Sequence, residues 1–308
     1  MGEISGFTVV KDAIKQGYPF VESIASALPI CDEFLISDGY STDGTYEILQ
    51  KISQLNKKVK VFRDEWTKRG LTLITDISNN LRKKCKSPYL FYVQAPEIVH
   101  EEDVEMLKAV PELFPGADTF CLPYLSVIAN SKIHEEFRLR FCRNLSRINL
   151  TGDAWAFSAS KEFIRSEAMR NMKRPKKLLN YVGRGVEWTY ACSLNNVRSR
   201  ALCLPKPVFR YPALFKENYI ERCRGHALHL NLSGFNDLTQ IVEKEEGESF
   251  FEKVIQLQRE GSGIHYHGDL GNIKTEEQPK IMQEFIRNRT TTPRYYVRDS
   301  ILDKIANA

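Results

Sequence analysis

Three short polar stretches in the first hundred residues each follow an apolar run and carry side chains that could bind a ligand. They are Val10-Lys-Asp12, Ser37 to Thr45 and Gln94 to Glu97. A carboxylate such as that of Asp38, beside Gly39, can accept hydrogen bonds from a nucleoside base or ribose, and free N–H groups at the start of the following helix favour anionic groups. A turn whose Ser, Thr and Asp side chains cap a helix uses the same residue types. Both interpretations stay open on spacing alone.

The order of predicted strands and helices explains why the three stretches would meet. Apolar, β-branched runs alternate with stretches whose apolar residues recur at helical spacing. The predicted strands are Ser5–Val10, Phe34–Ile36, Val59–Phe62 and Tyr89–Val93. The predicted helices carry their apolar positions over Phe20–Leu28, Ile48–Ile52 and Leu73–Leu81, and the second of them opens at Asp43-Gly-Thr45. This alternation is typical of an α/β layer with a largely parallel sheet. Such sheets bind ligands at the carboxyl ends of their strands.

The chain beyond these elements is less regular. A strand is predicted at Thr119–Val127 and an extended basic segment at Phe137–Arg143. The three prolines between Leu204 and Pro212 predict a linker and exclude a central strand there. Helical spacing returns after Asn218, over Val242–Leu257 and Pro279–Arg287. We therefore predict a domain over residues 1–215 and a mostly helical C-terminal extension over residues 216–308.

Composition places the chain among ordinary globular proteins. Of its 308 residues 42% are hydrophobic and 27% are charged, which excludes a disordered or collagen-like chain. No apolar run reaches the length of a membrane span, and the N-terminus lacks the pattern of a signal peptide. The seven cysteines are scattered and odd in number, which favours free thiols. We expect a soluble cytoplasmic protein, or one in the host cytoplasm if it is viral.

Several motifs follow one another along the chain. They are Ser5-Gly-Phe-Thr-Val-Val-Lys-Asp12, Pro29 to Asp38, Ser41-Thr-Asp-Gly-Thr45, Leu90 to His100 and Gly152-Asp-Ala-Trp-Ala-Phe157. The first three resemble the opening of family-2 glycosyltransferases, and the last two are similar to later motifs of a bacterial branch of that family. The resemblance covers roughly residues 4–212. It implies a Rossmann-like glycosyltransferase fold of the A type, a nucleotide-diphosphate-sugar donor and a displacement that inverts the anomeric carbon.

The resemblance also implies roles for individual residues. Asp38 matches the nucleoside-binding aspartate, and Asp153 matches an acidic position from which a general base could take the proton of the acceptor hydroxyl. The strand ends supply the remaining donor-binding candidates, Val10, Lys11, Gly39, Gln94 and Glu97. Acceptor-binding candidates are Trp155 and the pair Glu187-Trp188, because a tryptophan face can stack on a sugar or a base.

The chain departs from the family at two positions. Pro96 stands where the family has an aspartate that binds Mg²⁺ or Mn²⁺, and Arg210 stands where a histidine lies near that metal. A proline side chain has no ligand atom, whereas a guanidinium presents donors that suit phosphate oxygens. The hypothesis is that Arg210 pairs with the diphosphate and that catalysis depends weakly or not at all on a divalent metal. Glu97 is the remaining metal-ligand candidate.

Two alternatives remain for the acceptor, and two remain for the activity. A glycan is the usual acceptor in the resembled family, and a hydroxymethylated base in phage DNA is the other candidate. Seven basic residues and one acid between Arg165 and Arg184 favour DNA modestly, as do the arginines and tyrosines of residues 287–298. A nucleotide-sugar-binding protein with weak or no turnover is the alternative to an enzyme. His265 and His267, with Asp269 nearby, form either a metal or phosphate site or an ordinary loop, and the loop is favoured. His226 and His229 are interpreted as solvated or packed.

Overall fold

The computed structural model describes residues 3–67, 70, 72–129, 131–151, 154, 156–157, 201–204, 207–230, 234–260, 269–287 and 297–308. The strands are β1 Ile4–Val10, β2 Glu33–Asp38, β3 Val59–Arg63, β4 Tyr89–Tyr92, β5 Glu97–Val99, β6 Thr119–Ile128, β7 Ser131–Arg143, β8 Leu150–Thr151, β9 Ala156–Phe157, β10 Ala201–Cys203, β11 Val208–Arg210 and β12 Asp269–Asn272. The helices are α1 Phe20–Ala27, α2 Thr45–Leu55, α3 Leu73–Arg82, α4 Val104–Leu113, α5 Lys216–Leu230, α6 Gly234–Val242, α7 Gly247–Glu260, α8 Lys280–Arg287 and α9 Asp299–Ala306.

One large sheet organises the described part of the chain. Its strand order is β3-β2-β1-β4-β7-β6-β11-β5, with β10 beside β6 and β12 beside β7. Strands β1 to β4 are parallel, while β7 runs antiparallel to both β4 and β6. The predicted mixed α/β fold with a mainly parallel central sheet is confirmed. Because β1, β2 and β4 are parallel neighbours, the loops that follow them emerge at the same edge.

Helices cover both faces of the sheet, which explains the apolar character of its strands. Along β1, Ile4 and Val10 belong to one hydrophobic cluster, whereas Phe7 and Val9 belong to the other, as the alternation of side chains along a strand requires. Residues of α1 and α2 pack in the first cluster, and residues of α3 pack in the second. The helices predicted from apolar spacing in the first hundred residues are confirmed.

The helices after residue 215 pack against this layer in two groups. Residues of α5, α6 and α7 form a third hydrophobic cluster that includes Ile128 of β6. Helix α9 contacts α1 and α2. Asn56 at the end of α2 donates to the Ile305 carbonyl at 2.7 Å, which fastens α9. The boundary at residue 215 falls between β11 and α5 and stays a prediction.

Two predictions about single elements were wrong. Val208–Arg210 lies between β6 and β5 and pairs with both, although flanking prolines had excluded a central strand. The strand is only three residues long, so it fits between Pro207 and Pro212. The helix predicted over Val242–Leu257 begins later, because α6 ends at Val242 and α7 covers Gly247–Glu260, with a left-handed φ of 54° at Gly247.

The described cysteines behave as the composition predicts. Five of them, at positions 31, 85, 121, 142 and 223, are buried free thiols. Burial raises the pKa of Cys85 to about 12, which keeps this thiol protonated and unreactive. Among the helices of the described residues, none combines the length and the apolar character that crossing a bilayer requires.

Candidate functional site

The loops after β1 and β2 are fastened to each other by the motif at residues 41–45. Asp12 Oδ1 accepts the N–H of Thr42 at 2.8 Å. Asp43 Oδ1 accepts the N–H of Thr45 at 3.0 Å, so the first N–H of α2 is occupied by a side chain of its own loop. The motif therefore acts as the predicted set of turn and cap residues. The expectation that this helix start offers free N–H groups to an anion is not met at Thr45.

Asp38 and Gly39 hold the loop at the end of β2. The Asp38 carboxylate is buried, accepts the N–H of Ser41 at 3.1 Å and pairs with Arg63 Nε at 3.1 Å. A Cβ on Gly39 would lie 2.6 Å from Trp66 Nε1, so only glycine fits against the indole here. The carboxylate of Asp38 shapes the loop and presents no exposed surface to a nucleoside.

Glu97 occupies a buried network beneath the end of β4. Its carboxylate pairs with Arg140 at 2.5 Å and accepts the hydroxyl of Tyr124 and the N–H of Gln94. Both charged side chains are almost wholly removed from solvent, Arg140 at 0% and Glu97 at 1% exposure. This placement argues against Glu97 as a donor or metal ligand, because its oxygens are turned to protein donors.

The same arginine supports the backbone at Ala154, the residue that follows Asp153 in the sequence. Arg140 Nη1 donates to the carbonyl of Ala154 at 3.3 Å, and the N–H of Ala154 donates to Thr75 Oγ1 at 2.6 Å. Ala154 is buried and has a left-handed φ of 60°, a conformation that an alanine rarely adopts. The turn is thus held from α3 on one side and from β7 on the other.

Four predicted residues lie outside the described residues, namely Asp153, Trp155, Glu187 and Trp188. The same holds for His265, His267, the basic segment 165–184 and most of the arginine- and tyrosine-rich segment before Val297.

A cleft opens where β1, β4 and β11 end, and it brings several predicted residues together. Val10 and Lys11 line it from β1, Gln94 and Pro96 from the stretch after β4, and Arg210 from β11. Among the described residues that line the cleft, none carries a carboxylate. The arrangement places a lysine and an arginine in one concave site at the carboxyl ends of the strands, which suits an anionic ligand.

The same cleft is also lined by three residues that were not predicted as site residues, namely Trp66, His226 and His229. The Trp66 indole meets the His229 ring edge-on, with centroids 5.7 Å apart. Its Nε1–H is buried and has no hydrogen-bond partner in the described part of the chain, so a donor remains for a ligand. Helical spacing does show that residues 222, 225, 226 and 229 share one face of α5. Only the fold reveals that this face meets the strand ends.

Ionisation in the cleft reflects its burial and its cations. Burial, together with the positive charges of the neighbouring Arg222, Arg210 and His229, lowers the pKa of His226 to about 3. Burial also raises the pKa of Tyr92 to about 12. His226 is therefore neutral at pH 7, because its imidazolium would be poorly solvated and would face other positive groups.

The described residues at this edge do not fit a divalent metal. Neither Pro96 nor Arg210 offers a metal ligand, and the oxygens of Glu97 are bound by protein donors. No group of three or more His, Cys, Asp or Glu side chains suited to a metal occurs in the described residues.

Comparison with known proteins gives structural likenesses at low sequence identity. No protein-family model matches the chain, and no curated protein matches it. The structure of S. aureus TarS 1-349 in complex with UDP-GlcNAc is similar over 99% of this chain and 89% of that one, with 11% identity and a TM-score of 0.41. The mannosyltransferase PcManGT from Pyrobaculum calidifontis, in complex with GDP-Man and Mn2+, is similar over 99% and 73%, with 12% identity and a TM-score of 0.40. The function of the present chain is therefore inferred from its own residues.

Proposed function

We propose that this chain is an inverting glycosyltransferase of the A-type fold that moves a sugar from a nucleotide-diphosphate sugar to an acceptor hydroxyl. The observation that carries the proposal is the cleft at the ends of β1, β4 and β11, which Lys11 and Arg210 both line and in which no described lining residue is acidic. A diphosphate is the anion that such paired cations suit. The ordered motifs between residues 4 and 157 point to the same chemistry.

In the proposed donor complex, the cleft residues have different roles. Lys11 and Arg210 contact the diphosphate, while Val10 and Gln94 form the wall beside it. Asp38 and Gly39 act by shaping the loop against which the nucleoside lies, because Asp38 is committed to Ser41 and Arg63. Glu97 acts beneath the site by holding Arg140.

The reaction is a single displacement. The acceptor oxygen attacks the anomeric carbon while the bond from that carbon to the diphosphate oxygen breaks, which inverts the anomeric configuration. The acceptor proton passes to the carboxylate of Asp153, the proposed general base. The departing diphosphate gains negative charge, and Arg210 and Lys11 stabilise that charge at the moment it develops. Trp155, Glu187 and Trp188 are the proposed acceptor contacts.

Binding and turnover test the proposal in sequence. Unfolding temperature should rise in the presence of one class of nucleotide sugar among a panel of UDP-, GDP- and TDP-sugars, because a ligand that binds the native state stabilises it. Transfer or slow hydrolysis of that donor should then be measurable without added metal. Stabilisation by no nucleotide sugar would contradict the proposal. Stabilisation without turnover across a broad acceptor panel would instead support the binding-protein alternative that Pro96 suggests.

The acceptor is either a glycan or a hydroxymethylated base in DNA, and salt dependence separates them. A DNA acceptor requires binding to duplex DNA that weakens steeply as salt is added, since phosphate contacts release counterions. Absence of DNA binding even at low salt would remove that acceptor and leave the glycan.

A further inference from the structure

Helix α5, in the predicted C-terminal extension, is fastened across the strand ends on three sides. Asn218 Nδ2 donates to the Lys15 carbonyl at 2.8 Å in the loop after β1. Arg222 donates to the carbonyl of Pro212, just after β11. The carbonyl of His229 accepts the N–H of Gly70 at 2.9 Å, in the segment after β3. The face of α5 that carries the two histidines is thus fixed over the cleft.

This face adds imidazoles to the cationic side of the cleft. His226 and His229 line it together with Lys11 and Arg210. Lys11 Nζ donates to the Gly39 carbonyl at 2.6 Å and lies 3.8 Å from the Asp12 carboxylate, so its position is set by both loops. Imidazole N–H groups are good donors to phosphate oxygens, and a protonated imidazole also supplies charge.

We propose that His226 and His229 complete the diphosphate subsite with Lys11 and Arg210, and that His226 takes up a proton from solvent when a nucleoside diphosphate binds. This inference rests on the proposed function, since the diphosphate belongs to the donor. In the empty cleft His226 stays neutral, and a bound diphosphate offsets the cations that oppose its charging. The proton returns to solvent when the diphosphate leaves.

The groups around His226 set the sign of this linkage. Arg210 from β11 and Arg222 and His229 from α5 all disfavour its charged form. Lys11, Tyr18 and Tyr92 complete the titratable groups among the described lining residues, and Tyr92 stays neutral because burial raises its pKa to about 12. A diphosphate brings negative charge next to the imidazole, so the pKa of His226 rises on binding. Affinity should then increase as pH falls, by up to about tenfold per pH unit for one linked proton.

Calorimetric titration with UDP and GDP tests the inference. Titrations at pH 7 in two buffers of different ionisation enthalpy report the protons taken up per nucleotide bound. We expect wild-type protein to take up more protons than His226→Gln by up to one per site. The variant should also bind about tenfold more weakly, and its affinity should rise less than that of wild type as pH falls. Subtracting the two proteins cancels the titration of the nucleotide itself. His100→Gln is the matched control, because His100 lies outside the cleft, and it should behave as wild type.

The other outcomes of this titration distinguish failure of the inference from failure of the proposed function. Nucleotide binding with equal proton uptake by wild type and His226→Gln overturns the inference and leaves the proposed function intact. Failure of UDP, GDP and inorganic pyrophosphate to bind overturns both. Pyrophosphate binding that depends on His226, with no nucleotide binding, supports the subsite and counts against the proposed function. If His226→Gln does not fold, His226→Asn takes its place, and the imidazole resonances of wild-type protein, titrated with and without UDP, report the same protonation.

Discussion

At the level of single residues, the partners of Glu97 decide its role. The sequence places an acid at the end of a strand beside Pro96, which suggests a ligand position. The fold adds Arg140 and Tyr124 from strands β7 and β6, and these donors occupy its oxygens. Pairings of this kind join residues far apart in the chain, so spacing within a motif cannot reveal them. Glu97 is therefore not exposed to a ligand. Through Arg140, it supports the turn at Ala154.

Glu97→Gln should destabilise the protein by about 3 kcal/mol, because removal of one partner leaves the buried charge of Arg140 uncompensated. Urea unfolding followed by circular dichroism measures the change. Glu102→Gln alters an exposed glutamate nearby and should change stability by less than about 0.5 kcal/mol. A loss for Glu97→Gln as small as that of the control would mean that the carboxylate is available to a ligand.

His226 should make stability depend on pH. Its pKa is lower in the folded chain than in the unfolded one, so below about pH 6.5 the unfolded chain binds a proton that the folded chain does not. Stability is therefore lost as pH falls from about 6.5 toward 3, at up to about 1.4 kcal/mol per pH unit. Unfolding of wild type and His226→Gln between pH 7 and 5 measures the difference. Parallel curves for the two proteins would contradict a lowered pKa.

At the level of elements, the strands and helices of the first hundred residues were predictable because each follows one clear periodicity. The strands that complete the sheet were harder. β11 is three residues long between prolines, and β5 follows Pro96 at once, so neither has a pattern of its own. Both exist because neighbouring strands supply their hydrogen-bond partners. The approach of α5 to the strand ends is a tertiary contact of the same kind, which is why its histidines were interpreted as packed or solvated.

The contact between α3 and the turn at Ala154 predicts a selective effect on turnover. Thr75→Val removes the hydroxyl that accepts the Ala154 N–H and should loosen the backbone at Ala154, next to Asp153 in the sequence. Transfer rate should fall up to about tenfold, the equivalent of one hydrogen bond, with donor affinity unchanged. Thr75→Ser restores the hydroxyl and should recover most of the rate. An equal loss in both variants, or a loss of donor affinity instead of rate, would contradict this role.

At the level of the whole molecule, the predicted catalytic layer and the predicted extension build the cleft together. The sheet brings Lys11 and Arg210 to one edge, and α5 closes that edge with two imidazoles and the contact to Trp66. Under the proposed function, the positive charge of Lys11 and Arg210 holds the diphosphate in place of a metal. The central claim of that proposal is that these side chains bind a nucleoside diphosphate without a divalent metal.

Titration of wild type and Arg210→Gln with the preferred nucleoside diphosphate, in excess EDTA and then in Mg²⁺ or Mn²⁺, tests this claim most directly. The account predicts that wild type binds equally well in EDTA and in either metal. It also predicts that Arg210→Gln binds at least about tenfold more weakly in all three conditions, since a charge-assisted hydrogen bond to phosphate is worth about 1.5–3 kcal/mol. Wild-type binding that requires the metal, or binding that Arg210→Gln leaves unchanged, would contradict it.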